Sequence, residues 1–247
     1  MRAKAKENIP FFLCFGLAVL FLALAVREYA PYLKSDLEVM TLRNEVEKDP
    51  DGEGKGKEID WDALKKTNPD IIAWIEVPGT KIDHPVLKSS EWNEYLHKDY
   101  KGRESYPGSI FVQPDCGEDF SDSHIVIYGH NMRNQSMFGS LHRFEKGSFW
   151  KKHREVFLYQ PGKTIVAEVY STYACKDKSQ TYHTVFETEK EWETWISRSM
   201  EGSFYDTGLT VKKEDKVVTL STCAGGGDRD RRYVVHAVVK KEVNDVQ

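Results

Sequence analysis

Cys223 closes the run Thr219-Leu220-Ser221-Thr222-Cys223, and Arg232 opens a second run, Arg232-Tyr233-Val234-Val235-His236. Between them, Ala224-Gly225-Gly226-Gly227-Asp228-Arg229-Asp230-Arg231 reads as a loop. If the two runs pair as antiparallel strands, thiol and guanidinium meet at the mouth of one hairpin, where opposed Cβ atoms lie ~4.5–5.5 Å apart. Mobile glycine backbone and clustered cations beside a thiol make a reactive site; the competing reading of a lone cysteine at a strand end is a small buried apolar side chain. A thiol nucleophile needs a proton partner, because with an ordinary pKa of ~8.5 only a few per cent is thiolate at neutral pH. Of the eight histidines, His130 stands out, since it follows the apolar run Ile125-Val126-Ile127-Tyr128 and the hinge Gly129. Loop lips at strand ends are where catalytic groups are presented. Ser221 shares the side of its strand with Cys223 and is placed to hydrogen-bond thiol or substrate. His236 shares a strand face with Arg232 but lies ~13 Å along it, and reads as a packed strand histidine.

The rest of the chain must position these groups. It has 247 residues, a net charge of −4, 40% hydrophobic and 30% charged residues, which is a globular composition with mass for a core. A slightly acidic total excludes an ordinary phosphate-backbone binder, so no nucleic-acid partner is expected. Arg2, Lys4 and Lys6 precede an apolar stretch, residues 9–26, that carries no charge over eighteen positions. That is the short edge of a membrane-spanning helix, which takes ~20 residues, and the cations ahead of it favour a cytoplasmic N-terminus. A cleaved signal peptide is the alternative, with Ala23-Leu24-Ala25 as processing site; the apolar run exceeds the usual ~7–15-residue core, which favours an anchor. The expected organisation is a cytoplasmic stretch 1–8, a transmembrane signal anchor 9–26, a polar helical or linker region 27–59, a catalytic domain 60–242 and a tail 243–247. Residues 49–56, with one Pro and three Gly, read as a break.

Beyond Pro69 the chain becomes short β-branched and aromatic runs separated by turn residues, at 71–77, 82–87, 109–113, 124–128, 155–160, 164–174, 216–222 and 233–239. Eight strands of this length predict a closed or nearly closed β-barrel, a mostly-β fold with peripheral helices at 61–66, 91–98, 136–144 and 189–200. Asp60 is the expected cap of the first of these helices, which Asn68-Pro69 stops.

Three segments, Tyr128-Gly129-His130-Asn131-Met132, Thr219-Leu220-Ser221-Thr222-Cys223 and Arg232-Tyr233-Val234-Val235-His236, resemble in order the signatures of class B sortases, cysteine transpeptidases of Gram-positive cell surfaces. The similarity begins at Asn68-Pro69-Asp70-Ile71-Ile72-Ala73-Trp74-Ile75, takes in Asn93-Glu94-Tyr95-Leu96 and ends near Lys240. It implies an eight-stranded sortase barrel and an acyl transfer. Cys223 would attack the carbonyl after the threonine of a C-terminal sorting motif of a surface protein, of Asn/Ser-Pro-x-Thr-Gly/Asn type, giving a thioester. An amine of peptidoglycan or its lipid-linked precursor would resolve it. His130 would be the general acid/base and Arg232 the stabiliser of substrate carbonyl and oxyanion. The resemblance also implies that the segment with helix 189–200 is an insertion beside the substrate groove, with Tyr182 and Thr184 lining it; Thr222, Tyr128 and Asn93 have weaker claims. The loop Ala224-Gly225-Gly226-Gly227 departs from the family, many of whose members carry larger or acidic residues there.

Rival readings of the same residues remain. Cys223 to Arg229 fits the C-x5-R spacing of tyrosine phosphatases, but that loop should open a helix, whereas a β-branched run follows. A membrane-anchored, non-catalytic wall-binding β-domain would need no thiol. No Cys/His pairs stand at ligand spacing, so neither metal nor cofactor is expected. Cys116 and Cys175 read as structural, bonded or not.

Overall fold

The computed structural model describes residues 9–48, 57–225, 227–228 and 230–244. The expected stretch 1–8, the glycine-rich break at 49–56, Gly226, Arg229 and residues 245–247 lie outside the described residues.

Helix α1, Ile9–Val46, joins the apolar segment to the polar one without interruption. Pro31 lies in its interior, removing one donor from the ladder. At 1.5 Å per residue the helix is about 57 Å long. Its N-terminal part is a candidate membrane span with none of its most apolar window buried in the protein. Its C-terminal turns bury Val39, Leu42 and Val46 against Leu64, Trp74, Leu87, Tyr95 and Phe111. The packed unit therefore starts upstream of residue 60, because three apolar side chains at helical spacing meet the outer face of the barrel. Asp83 fastens this end: its carboxylate accepts from Arg43 at 3.0 Å, Lys57 at 2.6 Å and the Trp74 indole at 2.6 Å. Burial pushes the Asp83 pKa up, yet these donors together outweigh it and hold the carboxyl below its ordinary value. Helix α2, Trp61–Thr67, is capped by Asp60, which accepts from the Ala63 N–H at 3.0 Å, and it ends at Asn68.

All eight expected strands form: β1 Ile71–Glu76, β2 Asp83–Lys88, β3 Ile110–Val112, β4 His124–Tyr128, β5 Glu155–Gln160, β6 Lys163–Lys176, β7 Val217–Cys223 and β8 Arg231–Asn244. They close into a barrel in the order β1-β2-β3-β4-β7-β8-β6-β5. β8 runs to Asn244, paired with Lys163 at the end of the long β6. Inward-facing Ile75, Val86, Ile127, Val156, Val218, Leu220 and Val235 fill the barrel. The expected helices at 91–98 and 136–144 shorten to 3-10 turns, Glu94–Leu96 and Gly139–Glu145. Helix α3, Gly147–Trp150, follows the second, and α4, Glu189–Glu201, is capped by Thr188 and buries Trp192, Trp195 and Ile196.

α4 covers a buried polar chain on the outside of β4, β7 and β8. His124 Nδ1 lies 2.8 Å from the His183 carbonyl, His124 Nε2 lies 2.6 Å from Thr219 Oγ1, and Thr219 Oγ1 lies 2.7 Å from His236 Nδ1. His236 is thus a packed strand histidine, wholly buried. Burial holds His84 and His124 down to about 4, and His236 well below its ordinary value. The unfolded chain recovers ordinary imidazoles and takes up their protons first as pH falls. For His84 and His124 the native state therefore loses up to about 1.4 kcal/mol per group per pH unit between about 6.5 and about 4. Denaturant melts at pH 7 and pH 5 are expected to show a steep loss of stability in acid, and His84→Gln and His124→Gln each to flatten it; an unchanged slope would overturn that account.

Candidate active site

Register places the key residues at one end of the barrel. β4 and β7 run parallel with Tyr128 opposite Ser221, and the Gly129 N–H donates to the Ser221 carbonyl at 3.1 Å. His130 follows two residues after Tyr128, past the end of β4, as Cys223 follows two residues after Ser221 on β7. On the other side β7 and β8 are antiparallel, with Cys223 opposite Arg232. Neighbouring strands lie ~4.8 Å apart, so imidazole, thiol and guanidinium come from three consecutive strands at the same barrel end. All three line one groove of about 580 Å³, as do Ser221, Thr222, Tyr128, Asn93, Tyr182 and Thr184.

Cys223 is the exposed thiol of this groove. Cys116 lines it too, but burial pushes that thiol up to about 12, so it stays protonated and unreactive. All four cysteines are free, Cys116 and Cys175 included. His130 is half-buried, and its Nε2 lies 2.7 Å from the Leu96 carbonyl. A carbonyl only accepts, so Nε2 carries the proton and donates. Burial lowers the His130 pKa against the raising effect of that bond, and neighbouring His97 lowers it further. The resting ring is neutral at pH 7, with Nδ1 as its lone pair. The Tyr106 ring lies 19° from parallel at 6.4 Å from His130 and reaches α1 through Tyr32, 5.9 Å away. Gly129 is required, because a Cβ there would sit 2.8 Å from the Phe138 ring.

Arg232 is half-buried, with Nη2 3.8 Å from Asp177 and Nη1 donating to the Arg231 carbonyl at 3.3 Å. Tyr182 and Ser221 share a 2.8 Å hydroxyl contact, and the Tyr182 ring stacks on Tyr128 at 6.2 Å. The Trp195 indole of α4 donates to the Gln180 carbonyl, fixing the turn that carries Tyr182. Asn93 adopts φ 62° and exchanges hydrogen bonds with Gln113. Thr222 differs from the rest: alternation turns it away from Ser221 and Cys223, and it is 2% exposed with its hydroxyl unpartnered among the described residues. Cys223 leads into strand β8 and not into a helix, so no helix N-terminus follows the thiol.

A sortase domain model matches residues 75–240. The chain belongs to the sortase family. Sortase B of Listeria monocytogenes is 31% identical over 173 residues, 70% of each chain. Among solved structures, sortase B of Clostridium perfringens is 34% identical with a TM-score of 0.69, covering 73% of this chain and 99% of its own. That of Bacillus anthracis in complex with AAEK1 is 29% identical with a TM-score of 0.76, covering 86% and 99%. This chain is accordingly a class B sortase and a cysteine transpeptidase, of a family associated with the cell surface.

Sequence reading missed the Leu96 carbonyl, Tyr106, and the contacts of Asn131 and His142 with the Cys223 carbonyl. A backbone acceptor has no signature in the sequence; the nearest signal was Asn131 following His130 directly.

Proposed function

We propose that this sortase uses Cys223 to cleave surface proteins after the threonine of an Asn/Ser-Pro-x-Thr-Gly/Asn sorting motif and passes the acyl group to an amine of peptidoglycan or its lipid-linked precursor. The observation that carries this reading is that Cys223, its register partner Arg232 and His130, two residues past the end of β4, all line one groove. Sulfur attacks the carbonyl carbon while its proton passes to His130 Nδ1. The C–N bond then breaks and the same proton goes to the leaving amine, giving thioester and free tail. In the second half an incoming amine gives a proton back to Nδ1, its nitrogen displaces sulfur, and the thiol is restored. Arg232 donates to the oxygen on which charge develops. Residues 9–26 span the membrane once, with the barrel outside and α1 carrying it down to the surface of the bilayer.

The test is to incubate the full chain in detergent micelles with a panel of peptides bearing variants of the motif, without amine, and to map the trapped acyl group by mass spectrometry. The expected result is one adduct, on the peptide containing Cys223, discharged by triglycine into a new amide. An adduct on Cys116, or none across the panel, would overturn the assignment.

A further inference from the structure

The Cys223 carbonyl is held by a side-chain cluster that the reaction scheme does not use. Asn131 Nδ2 lies 2.8 Å from that oxygen and 3.1 Å from His142 Nε2. His142 Nε2 is itself 3.1 Å from the same oxygen, and its Nδ1 lies 2.7 Å from a Glu145 carboxylate oxygen. The imidazole stacks on Tyr233, 20° from parallel at 4.5 Å, so its plane is fixed.

The donors follow from the chemistry of the partners. Glu145 only accepts, so His142 Nδ1 carries a hydrogen; in the neutral ring Nε2 is then a lone pair. The Asn131 amide has two N–H groups, one for the Cys223 carbonyl and one for His142 Nε2, and both are used. The Cys223 carbonyl thus takes its hydrogen from Asn131.

The position of this contact in the sheet gives it meaning. Gly129 N–H to Ser221 carbonyl continues the parallel β4–β7 ladder past Tyr128, and the next acceptor along β7 is the Cys223 carbonyl. At this point the chain turns back on itself through the bridge between Asn131 and Met137, with the Phe138 N–H donating to the His130 carbonyl at 3.0 Å. The side-chain amide of Asn131 stands where a continued ladder would bring the backbone N–H of the same residue. It ties the residue after His130 directly to the backbone of the nucleophile.

We infer that Asn131, oriented by His142 and Glu145, is a positioning residue that fixes the His130 loop against the backbone of Cys223 and so sets the approach of imidazole to thiol. This rests on Cys223 and His130 being the reacting pair proposed above. Misplacing reacting groups by about 1 Å costs on the order of 10²-fold in rate, so loss of the tie acts on the chemical step more than on peptide binding.

The test measures kcat and KM for a quenched Asn/Ser-Pro-x-Thr-Gly/Asn peptide with the full chain in detergent micelles. Asn131→Ala is expected to lower kcat about 10- to 100-fold with KM within about threefold. Asn131→Asp, which offers a second acceptor to the carbonyl, is expected to fall at least as far. His142→Gln places an amide where Nε2 stood and is expected to recover activity to within about threefold of the parent, whereas His142→Leu follows Asn131→Ala. The His142 pair carries the test alone if Asn131 variants melt early. An Asn131→Ala enzyme within twofold of the parent, a loss confined to KM, or equal losses in His142→Gln and His142→Leu would each overturn the proposal. Cleavage persisting in Cys223→Ala would instead remove the reading beneath it.

Discussion

Cys223→Ala is expected to abolish the acyl adduct and bring peptide cleavage to background, and His130→Ala to lower kcat/KM by about 10²–10⁴, the usual contribution of a positioned acid/base. The thiol has no substitute in the groove, since Cys116 is held protonated by burial. For His130 the pH profile says more than the loss itself. Its pKa lies below the ordinary imidazole value because burial disfavours the cation. The free enzyme must hold the ring neutral to receive the thiol proton at Nδ1, so kcat/KM falls as pH drops through the His130 pKa. The acid limb is therefore expected below 6.5 and absent from the residual rate of His130→Ala. An acid limb unchanged in that variant would assign it to another group. Stopped-flow cleavage of a quenched peptide from pH 4.5 to 8 measures both. Retained adduct formation in Cys223→Ala would end the nucleophile assignment.

How far the fold could be read from the chain follows from the range of each signal. Period-two alternation is set within a few residues, and the eight strands emerge close to their expected places. The fate of residues 32–46 depends on a distant partner. Val39, Leu42 and Val46 are an unremarkable apolar spacing until the outer wall of the barrel, with Trp74 and Phe111, is there to receive them. The segment around 136–144 shortens to a 3-10 turn where Gly139 passes so close to the Met132 carbonyl that a Cβ would sit 2.5 Å from its oxygen. Such a close approach is tertiary, and helical spacing alone does not reveal it.

The candidate site divides in the same way. Cys223, His130 and Arg232 were legible because each closes or opens an apolar run, and strand ends at one barrel rim converge. Tyr182 was harder, since its place depends on Trp195 reaching the Gln180 carbonyl from α4. Thr222 lies on the groove next to Cys223, while alternation along the strand turns its side chain to the face opposite the thiol. The Leu96 carbonyl that sets the His130 tautomer belongs to a loop brought over from between β2 and β3. No residue type is demanded there, so no pattern announces it.

Arg232→Ala is expected to lower kcat by about 10²–10³ with a smaller change in KM, as for loss of one oxyanion donor. Its register opposite Cys223 puts the guanidinium on the thiol's own side of the sheet. Asp177 lies 3.8 Å from Nη2, beyond hydrogen-bond reach, so it aligns the fork electrostatically. Arg232→Lys keeps the charge and gives up the planar fork, and is expected to recover only part of the loss. Arg231 supplies the control. It pairs with Lys176, is exposed, and alternation turns it to the other face, so Arg231→Ala is expected within about twofold of the parent. Single-turnover acylation of the full chain separates the cases, because it reads the step in which the oxyanion forms. Equal losses in Arg231→Ala and Arg232→Ala would point to the summed positive charge of the loop, and a loss in KM alone would make Arg232 a substrate-binding cation with no part in the transition state.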